Sequence, residues 1–361
     1  MSAWAINGRF MMQPTTGVQR VARELLAALD RRLQGADVVP SFALLLPPGA
    51  PQPALGAMPS RRVPGPRHPH LWEQWALPRA VGEGRLLNLC GAAPAFGAVD
   101  QACLLHDAAV FDHPEAYTGT FVRWYRWMFR RLARSPARLI TVSNFSRSRL
   151  ALALGVPASR IAVVPLAADH MHRADTNPQA LHRHGLTNGP FLLAVGSANP
   201  TKRQDLIVRA WRRLGRSDAR LVIAGGTNPA IFEASAHHVA EGVLRTGQVD
   251  DATLKALYGA AAGLVFPSSY EGFGLPPLEA MACGCPVVVS RAEALQEVCG
   301  DAALSVPVDD ERALAEAMHA LLDDQTLRAS LRDRGRDRAA TFTWDASAQA
   351  LLDALASEPG R

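Results

Sequence analysis

Lysine is almost missing from this chain of 361 residues: of its 38 basic residues only Lys202 and Lys255 are lysines, and the rest are arginines. Where arginine is the default cation, a lysine can mark a position that wants a compact ammonium rather than a planar fork. Cysteine is scarce as well. The five cysteines, at 90, 103, 283, 285 and 299, are odd in number and lack paired C-x-x-C spacing, so neither a disulfide framework nor a zinc site is implied. No apolar run approaches the ~18 residues of a membrane span. The start, Met1-Ser2-Ala3-Trp4, lacks a basic-then-apolar leader, so a cytoplasmic protein is expected. No G-x-G-x-x-G run follows a strand with an acid ~20 residues later, which sets a nicotinamide oxidoreductase aside.

What is present is an ordinary globular composition, 48% hydrophobic and 20% charged, long enough for two domains. The net charge of +5 hides an asymmetry. Residues 1–170 hold 19 Arg against 10 acids, a balance of +9, whereas residues 171–361 hold 19 basic residues against 23 acids, a balance of −4. Such a difference points the first half toward an anionic partner: nucleic acid, a membrane surface or a phosphorylated substrate. An arginine-biased composition with a solvated surface accounts for it equally. No nucleic-acid motif accompanies the charge, so no nucleic-acid partner is expected.

Short apolar runs alternate with amphipathic segments, the pattern of βα units around parallel sheets. Strands are predicted at Trp4–Asn7, Phe42–Leu46, Leu86–Leu89, Ala102–Leu105, Leu139–Val142 and Ile161–Val164. A helix follows the first, with Val18, Val21, Leu25, Leu29 and Leu33 at helical spacing. Pro47 to Pro69 reads as a surface loop, and 166–190 as a linker. The rhythm restarts with strands at Phe191–Val195, Arg220–Ala224, Gly263–Phe266 and Pro286–Val289, and helices near 204–214, 251–261, 276–283 and 310–322. The expected architecture is α/β: two Rossmann-like domains facing across a central cleft. The first spans 1–168 and the second 169–340, with a C-terminal helix within 341–361 packing back on the first. Ligands in such sheets sit outside the carboxyl ends of the strands.

The sharpest motif is Ser268-Ser269-Tyr270-Glu271-Gly272-Phe273-Gly274-Leu275-Pro276-Pro277-Leu278-Glu279. It follows a strand and enters a helix near Pro276, where proline suits the first turn. A glycine-bearing turn at a helix start offers free N–H groups to a phosphate. Glu271 and Glu279 are acceptor-only carboxylates, each able to hold a hydroxyl pair on a polyol. Equally, Glu279 complements the helix dipole and Glu271 sits in a turn. Gly196-Ser197-Ala198-Asn199-Pro200-Thr201-Lys202-Arg203 follows another strand and suits a diphosphate.

The segment "FPSSYEGFGLPPLEAMACGCPVVVS" resembles the retaining glycosyltransferases of family 4, which have the GT-B fold, and Glu271 and Glu279 match their E-x7-E motif. The resemblance runs through nearly the whole chain. It implies that Lys202 and Arg203 neutralise a leaving nucleotide diphosphate, although Ser197 and Thr201 stand where the family usually has arginine. Glu279 is then expected to hold the ribose, Glu271 the sugar hydroxyls, and the amides at Gly272, Phe273, Gly274 and Leu275 the diphosphate. Gly17, in a glycine-bearing loop, is expected near the donor, and Gly225 and Val249 near the nucleobase. His106, in Leu104-Leu105-His106-Asp107, is expected to contact the transferred sugar. Arg9, Thr16, Asp107 and Ser143 fall on the acceptor side, with Asp107 either orienting His106 or capping the next segment, and Ser146 read as a helix N-cap.

No metal or other cofactor is expected, because the cations replace a metal and no Asp-x-Asp motif stands in a suitable loop. The stretch Phe121 to Arg134 carries five arginines and five aromatics. It reads either as a packed helix with snorkelling arginines or as an interfacial face for a membrane or a polyprenyl-diphosphate-linked acceptor. The opening "NGRF…TGVQR" resembles bacterial polysaccharide mannosyltransferases, which makes GDP-mannose the first candidate donor and a glycan or lipid-linked chain the acceptor. A nucleotide-sugar epimerase, a glycogen-type synthase and a non-catalytic binding scaffold are the rival readings.

Overall fold

The computed structural model describes residues 4–34, 41–96, 100–226 and 241–357. They form two compact units. One gathers the described residues of 1–111, 123–166 and 344–361, and the other those of 112–122 and 167–343.

The first unit is built on strands β1 (Trp4–Asn7), β2 (Phe42–Leu46), β3 (Ser60–Arg62), β4 (Arg85–Asn88), β5 (Asp100–Leu104), β6 (Arg138–Thr141) and β7 (Ile161–Val163). They lie in the order β3-β2-β1-β4-β5-β6-β7, all parallel, with Trp4 opposite both Phe42 and Arg85. The second unit has β8 (Phe191–Val195), β9 (Arg220–Ala224), β10 (Val243–Gly247), β11 (Gly263–Phe266), β12 (Val287–Ser290) and β13 (Leu304–Val306), in the parallel order β10-β9-β8-β11-β12-β13. Parallel sheets are covered on both faces, which is why β11 and β12 are apolar along their length and buried throughout. Helix Gln204–Leu214 lays Leu206, Ile207, Ala210 and Trp211 against Leu314, Met318 and Leu321 of helix Glu311–Asp323. Each such side chain, fully buried, stabilises by about 1.5–3 kcal/mol. Gly263 admits that packing, since a Cβ there would stand 2.4 Å from Leu321 Cδ1.

Three expectations need correcting. The Pro47–Pro69 stretch is not all loop: it contains β3, an edge strand whose arginines hide its pattern. Two further edge strands were not expected: β10, whose Val243-Leu244 start gives way to Arg245 and Thr246, and β13, which is only three residues long. The stretch 166–190 is folded rather than a linker. It holds helices His170–Arg173 and Gln179–Arg183, with His170 and Met171 buried. Tertiary contacts hold it: Asn177 donates its N–H to Ala252 O at 3.0 Å, and Lys255 Nζ reaches Ala174 O at 2.7 Å. The last helix, Trp344–Ala356, packs on helix Gly17–Leu33 with Trp344 fully buried, and Arg32 donates to Gln349 Oε1 at 2.8 Å.

Candidate functional site

In an open parallel sheet the strand order reverses at one point, and the two loops flanking it splay apart to leave a crevice. In the second unit the reversal falls between β8 and β11. The loop after β8 turns through Asn199, whose Oδ1 accepts the Thr201 N–H at 2.9 Å. The loop after β11 is tied to it, because Ser269 donates its N–H to Thr201 O at 2.9 Å. That tie brings Lys202 Nζ to 2.5 Å from Glu271 Oε1, with the ammonium 5.3 Å from the centre of the Phe266 ring. The pair is not sealed: the Lys202 side chain is 22% exposed and that of Glu271 10%. A cation and a carboxylate at an accessible switch point can receive an anion and a set of hydroxyls together.

Arg203 behaves differently. It adopts the left-handed region at φ 52° and its guanidinium lies 2.6 Å from Asp309, itself at φ 64°. The expected second cation therefore has a carboxylate of its own, and Lys202 is the one that faces Glu271. Gly225 is required by close approach, since a Cβ would stand 1.9 Å from Gly196 O. Its N–H reaches Gly247 O at 2.9 Å, and Val249 follows, half-buried, in the same loop.

Gly274, at φ 107°, leads into helix Leu275–Ala282; Pro276 and Pro277 have no N–H, so the backbone donors at this helix start are those of the loop up to Leu275. Phe273 is buried edge-on against Phe342 at 5.8 Å, so its ring is packing and only its backbone, with that of Gly272, faces the loop's chemistry. Glu279 is buried at the fifth position of this helix, past its first turn. Its Oε1 accepts from His170 Nε2 at 3.1 Å and its Oε2 from Tyr258 OH at 3.3 Å. Burial, followed by the Glu279 charge, pushes the Tyr258 phenol well above its ordinary pKa, so it stays a donor. Neither partner was legible beforehand. His170 stood in an apparent linker, and Tyr258 read as one more apolar helix position.

The first unit reverses between β1 and β4. The side chains there are locked together. Asn7 donates to Glu73 Oε1 at 2.7 Å and to Asn88 Oδ1 at 3.0 Å, and Asn88 donates in turn to Gln101 at 3.2 Å. Arg9 Nε bonds Glu73 at 2.9 Å, with side chains 4% and 2% exposed. Burial opposes the Arg9 charge, yet Glu73 beside it leaves the guanidinium pKa raised. Arg9, expected to face an acceptor, is thus a buried framework residue. Glu73 was not anticipated, and it comes from a π-helical turn, Trp72–Ala76, that no spacing rule announces.

His106 donates from Nε2 to Leu89 O at 3.0 Å. Burial lowers its pKa to about 4, so the imidazole is neutral at physiological pH with Nδ1 as an acceptor. Asp107 Oδ1 accepts the Ala109 N–H at 2.8 Å and so caps the next helix. Thr16 is the N-cap of helix Gly17–Leu33, its N–H reaching Gln19 Oε1 at 3.3 Å, and Gly17 opens that helix with free space around its Cα. Ser143 caps helix Asn144–Leu154 by accepting from Ser146 N at 3.0 Å, so Ser143 and not Ser146 is the N-cap. Among the described residues no three His, Cys, Asp or Glu side chains gather into a metal-holding group.

Comparison with known proteins adds to this geometry. The family model "Glycosyltransferase Family 4" matches residues 15–171, and "Glycosyl transferases group 1" matches residues 179–338. The chain is 34% identical to the O-antigen chain mannosyltransferase B of Escherichia coli over 66% of either chain. It is 33% identical to the MMP alpha-(1->4)-mannosyltransferase of Mycolicibacterium hassiacum over 63% of this chain and 56% of that one, so each alignment spans just under two thirds of the relative or less. Among solved structures, the sucrose-phosphate synthase of Thermosynechococcus elongatus superimposes with a TM-score of 0.73 at 19% identity, covering 97% of each chain, which is a likeness of fold.

Proposed function

The chain belongs to the family 4 glycosyltransferases of the GT-B fold, and from that premise we propose that it transfers a hexose, with retention, from a nucleoside diphosphate sugar to a hydroxyl on a glycan or polyprenyl-diphosphate-linked acceptor. Mannose from GDP-mannose is the first candidate, supported by the mannosyltransferases among its relatives. The bond from the anomeric carbon to the diphosphate oxygen breaks and its electron pair leaves with the phosphate. Lys202 and the loop amides from Gly272 to Leu275 stabilise that charge, an electrostatic contribution that is large in a dry site. Arg203 adds its field from its place beside Asp309. The acceptor oxygen bonds to the same face of the sugar, and its proton passes to the departing phosphate oxygen. Glu279 takes the ribose diol and Glu271 the sugar hydroxyls. His106, being neutral, accepts a hydrogen bond from a sugar hydroxyl rather than donating a proton.

The observation that carries this reading is the Lys202–Glu271 pair at 2.5 Å on the two switch-point loops. Each member holds the other until an anionic, hydroxylated ligand supplies a partner for both.

For the acceptor side, the supporting feature is helix Gly119–Ala133 and the groove of about 620 Å3 beside it. Arg123, Arg126, Arg130, Arg131, Arg134 and Trp127 line it, and none of the five arginines has an ion-pair partner among the described residues. Trp127 and Phe96 are 41% and 52% exposed, with ring centres 5.6 Å apart. Arginines without carboxylate partners beside exposed aromatics suit an anionic lipid headgroup region on the cytoplasmic side of a membrane, with Arg126 held to Val110 O and Phe111 O and Arg131 to Ala95 O. No helix among the described residues is long and apolar enough to cross one.

The test combines radiolabelled GDP-mannose and UDP-hexoses with acceptor-loaded anionic or neutral vesicles. The expected result is a glycosylated product of retained anomeric configuration, with more enzyme on the anionic vesicles. Lys202→Ala should lower turnover roughly 100- to 1000-fold. Wild-type turnover in that variant would refute the assignment.

A further inference from the structure

Three separate pieces of chain converge on the Glu279 carboxylate. It stands on helix Leu275–Ala282. Helix Asp251–Ala260 supplies Tyr258, whose hydroxyl is 3.3 Å from Oε2. The short turn His170–Arg173 supplies His170, whose Nε2 is 3.1 Å from Oε1. The second and third pieces are also fastened to each other. Lys255, one helical turn before Tyr258, donates to Ala174 O at 2.7 Å and to His172 O at 3.4 Å. The chain's other lysine thus secures the turn that carries His170. All three side chains are buried, with Tyr258 at 0%, His170 at 5% and Glu279 at 6% exposure.

An ionised carboxylate offers about four acceptor directions, two on each oxygen. Here each oxygen accepts one protein donor, which restrains the rotation of the carboxylate and leaves each oxygen a further acceptor direction. Two adjacent free acceptors in one plane match a vicinal diol. An unclamped glutamate would have to stop two or three rotors before it could bind such a pair, at a cost in side-chain entropy.

We propose that Tyr258 and His170 are positioning residues that preset Glu279 to recognise the 2′,3′-diol of the donor's ribose, and that they thereby set the preference for ribonucleotides over deoxyribonucleotides. This rests on the reading of Glu279 as the ribose ligand given above. Neither residue need touch the substrate. Their effect passes through the plane in which they hold one carboxylate.

The experiment is calorimetric titration of the full chain with GDP and UDP and with their 2′,3′-dideoxy counterparts, for the wild type, Tyr258→Phe, His170→Ala and His170→Gln. The wild type is expected to favour a ribonucleotide by roughly tenfold or more, as for one hydrogen-bonded pair to a charged group. Tyr258→Phe and His170→Ala should weaken the ribonucleotide about tenfold while leaving the dideoxy affinity unchanged, so that the preference collapses. His170→Gln, which keeps an N–H donor, should restore part of it. Circular dichroism and thermal melting confirm that each variant is folded, and any that is not is replaced by Tyr258→Leu or His170→Asn.

Loss of both nucleotides in equal proportion, or a preference unchanged in folded variants, would overturn the proposal. A wild type that binds nucleoside diphosphates without a ribose preference overturns it while sparing the function reading. A wild type that binds no nucleoside diphosphate at all overturns both.

Discussion

The two units reach the same topological point and fill it in opposite ways. Where β1 and β4 part, Asn7, Arg9, Glu73 and Asn88 close into a hydrogen-bonded cluster, with the Arg9 and Glu73 side chains 4% and 2% exposed. Where β8 and β11 part, Lys202 and Glu271 form a single pair, 22% and 10% exposed, with no comparable girdle of amides. Both are cation–carboxylate pairs at 2.5–2.9 Å. Only the second is open to solvent, which is why it is the one proposed to exchange its partner for a ligand. The difference teaches that a charged residue at a strand end marks a crevice but not its use. The number of neutral hydrogen-bonding groups around the pair decides whether it is framework or site.

Removing the cation from each pair breaks the comparison most directly. Arg9→Met leaves Glu73 buried without its charge partner, and thermal or denaturant unfolding should show a loss of about 3–5 kcal/mol. Lys202→Met should cost far less stability, because solvent reaches Glu271, but should remove most nucleotide affinity in titration. If Arg9→Met melts like the wild type, the first cluster is not framework, and an acceptor role for Arg9 returns.

A smaller effect separates the units by pH. His106, through burial, and His70, through burial and then the neighbouring Arg9, both have pKa values lowered to about 4. The folded state therefore binds fewer protons than the unfolded chain between about pH 6.5 and 4. Stability is full above pH 6.5 and falls as the pH drops through that window. Melting followed between pH 7.5 and 5 should show the loss, about 2 kcal/mol by pH 5 for His106, and His106→Asn should remove that share while the His70 share remains. A steeper fall in the variant would mean the wild-type imidazole is charged in the folded state.

The smallest expected effect concerns Thr16, which caps helix Gly17–Leu33. Thr16→Ala should cost about 0.5–2 kcal/mol while nucleotide affinity in the second unit stays at its wild-type value. A change in that affinity instead would give Thr16 a part in ligand binding beyond its cap.

Much was legible before any coordinates. The apolar runs located the inner strands within a residue or so, because a parallel strand buried on both faces has no room for polar side chains. The donor loop was legible for a related reason: glycines where the backbone must pass closely, proline in the first helical turn and two carboxylates at fixed spacing are local demands. The edge strands β3, β10 and β13 were not legible: β3 is serine and arginine, β10 carries Arg245 and Thr246, and β13 has only three residues to show a pattern. Nor was the fold of 166–190, where a four-residue turn has too few residues to carry a period and stands through contacts with helix Asp251–Ala260.

By itself, then, the sequence determined the α/β class, the alternation of its inner strands and helices, and the place of Lys202 and Glu271 in loops that follow strands and of Glu279 on the helix after the second of them. These depend on patterns within about a dozen neighbouring residues. Only the tertiary structure decided that Arg9 belongs to Glu73, that Arg203 turns to Asp309, and that His170 and Tyr258 grip Glu279. Those partners lie between 21 and 109 positions apart in the chain. At such separations the free energy of pairing is set by burial and geometry in the folded state, which no local spacing encodes.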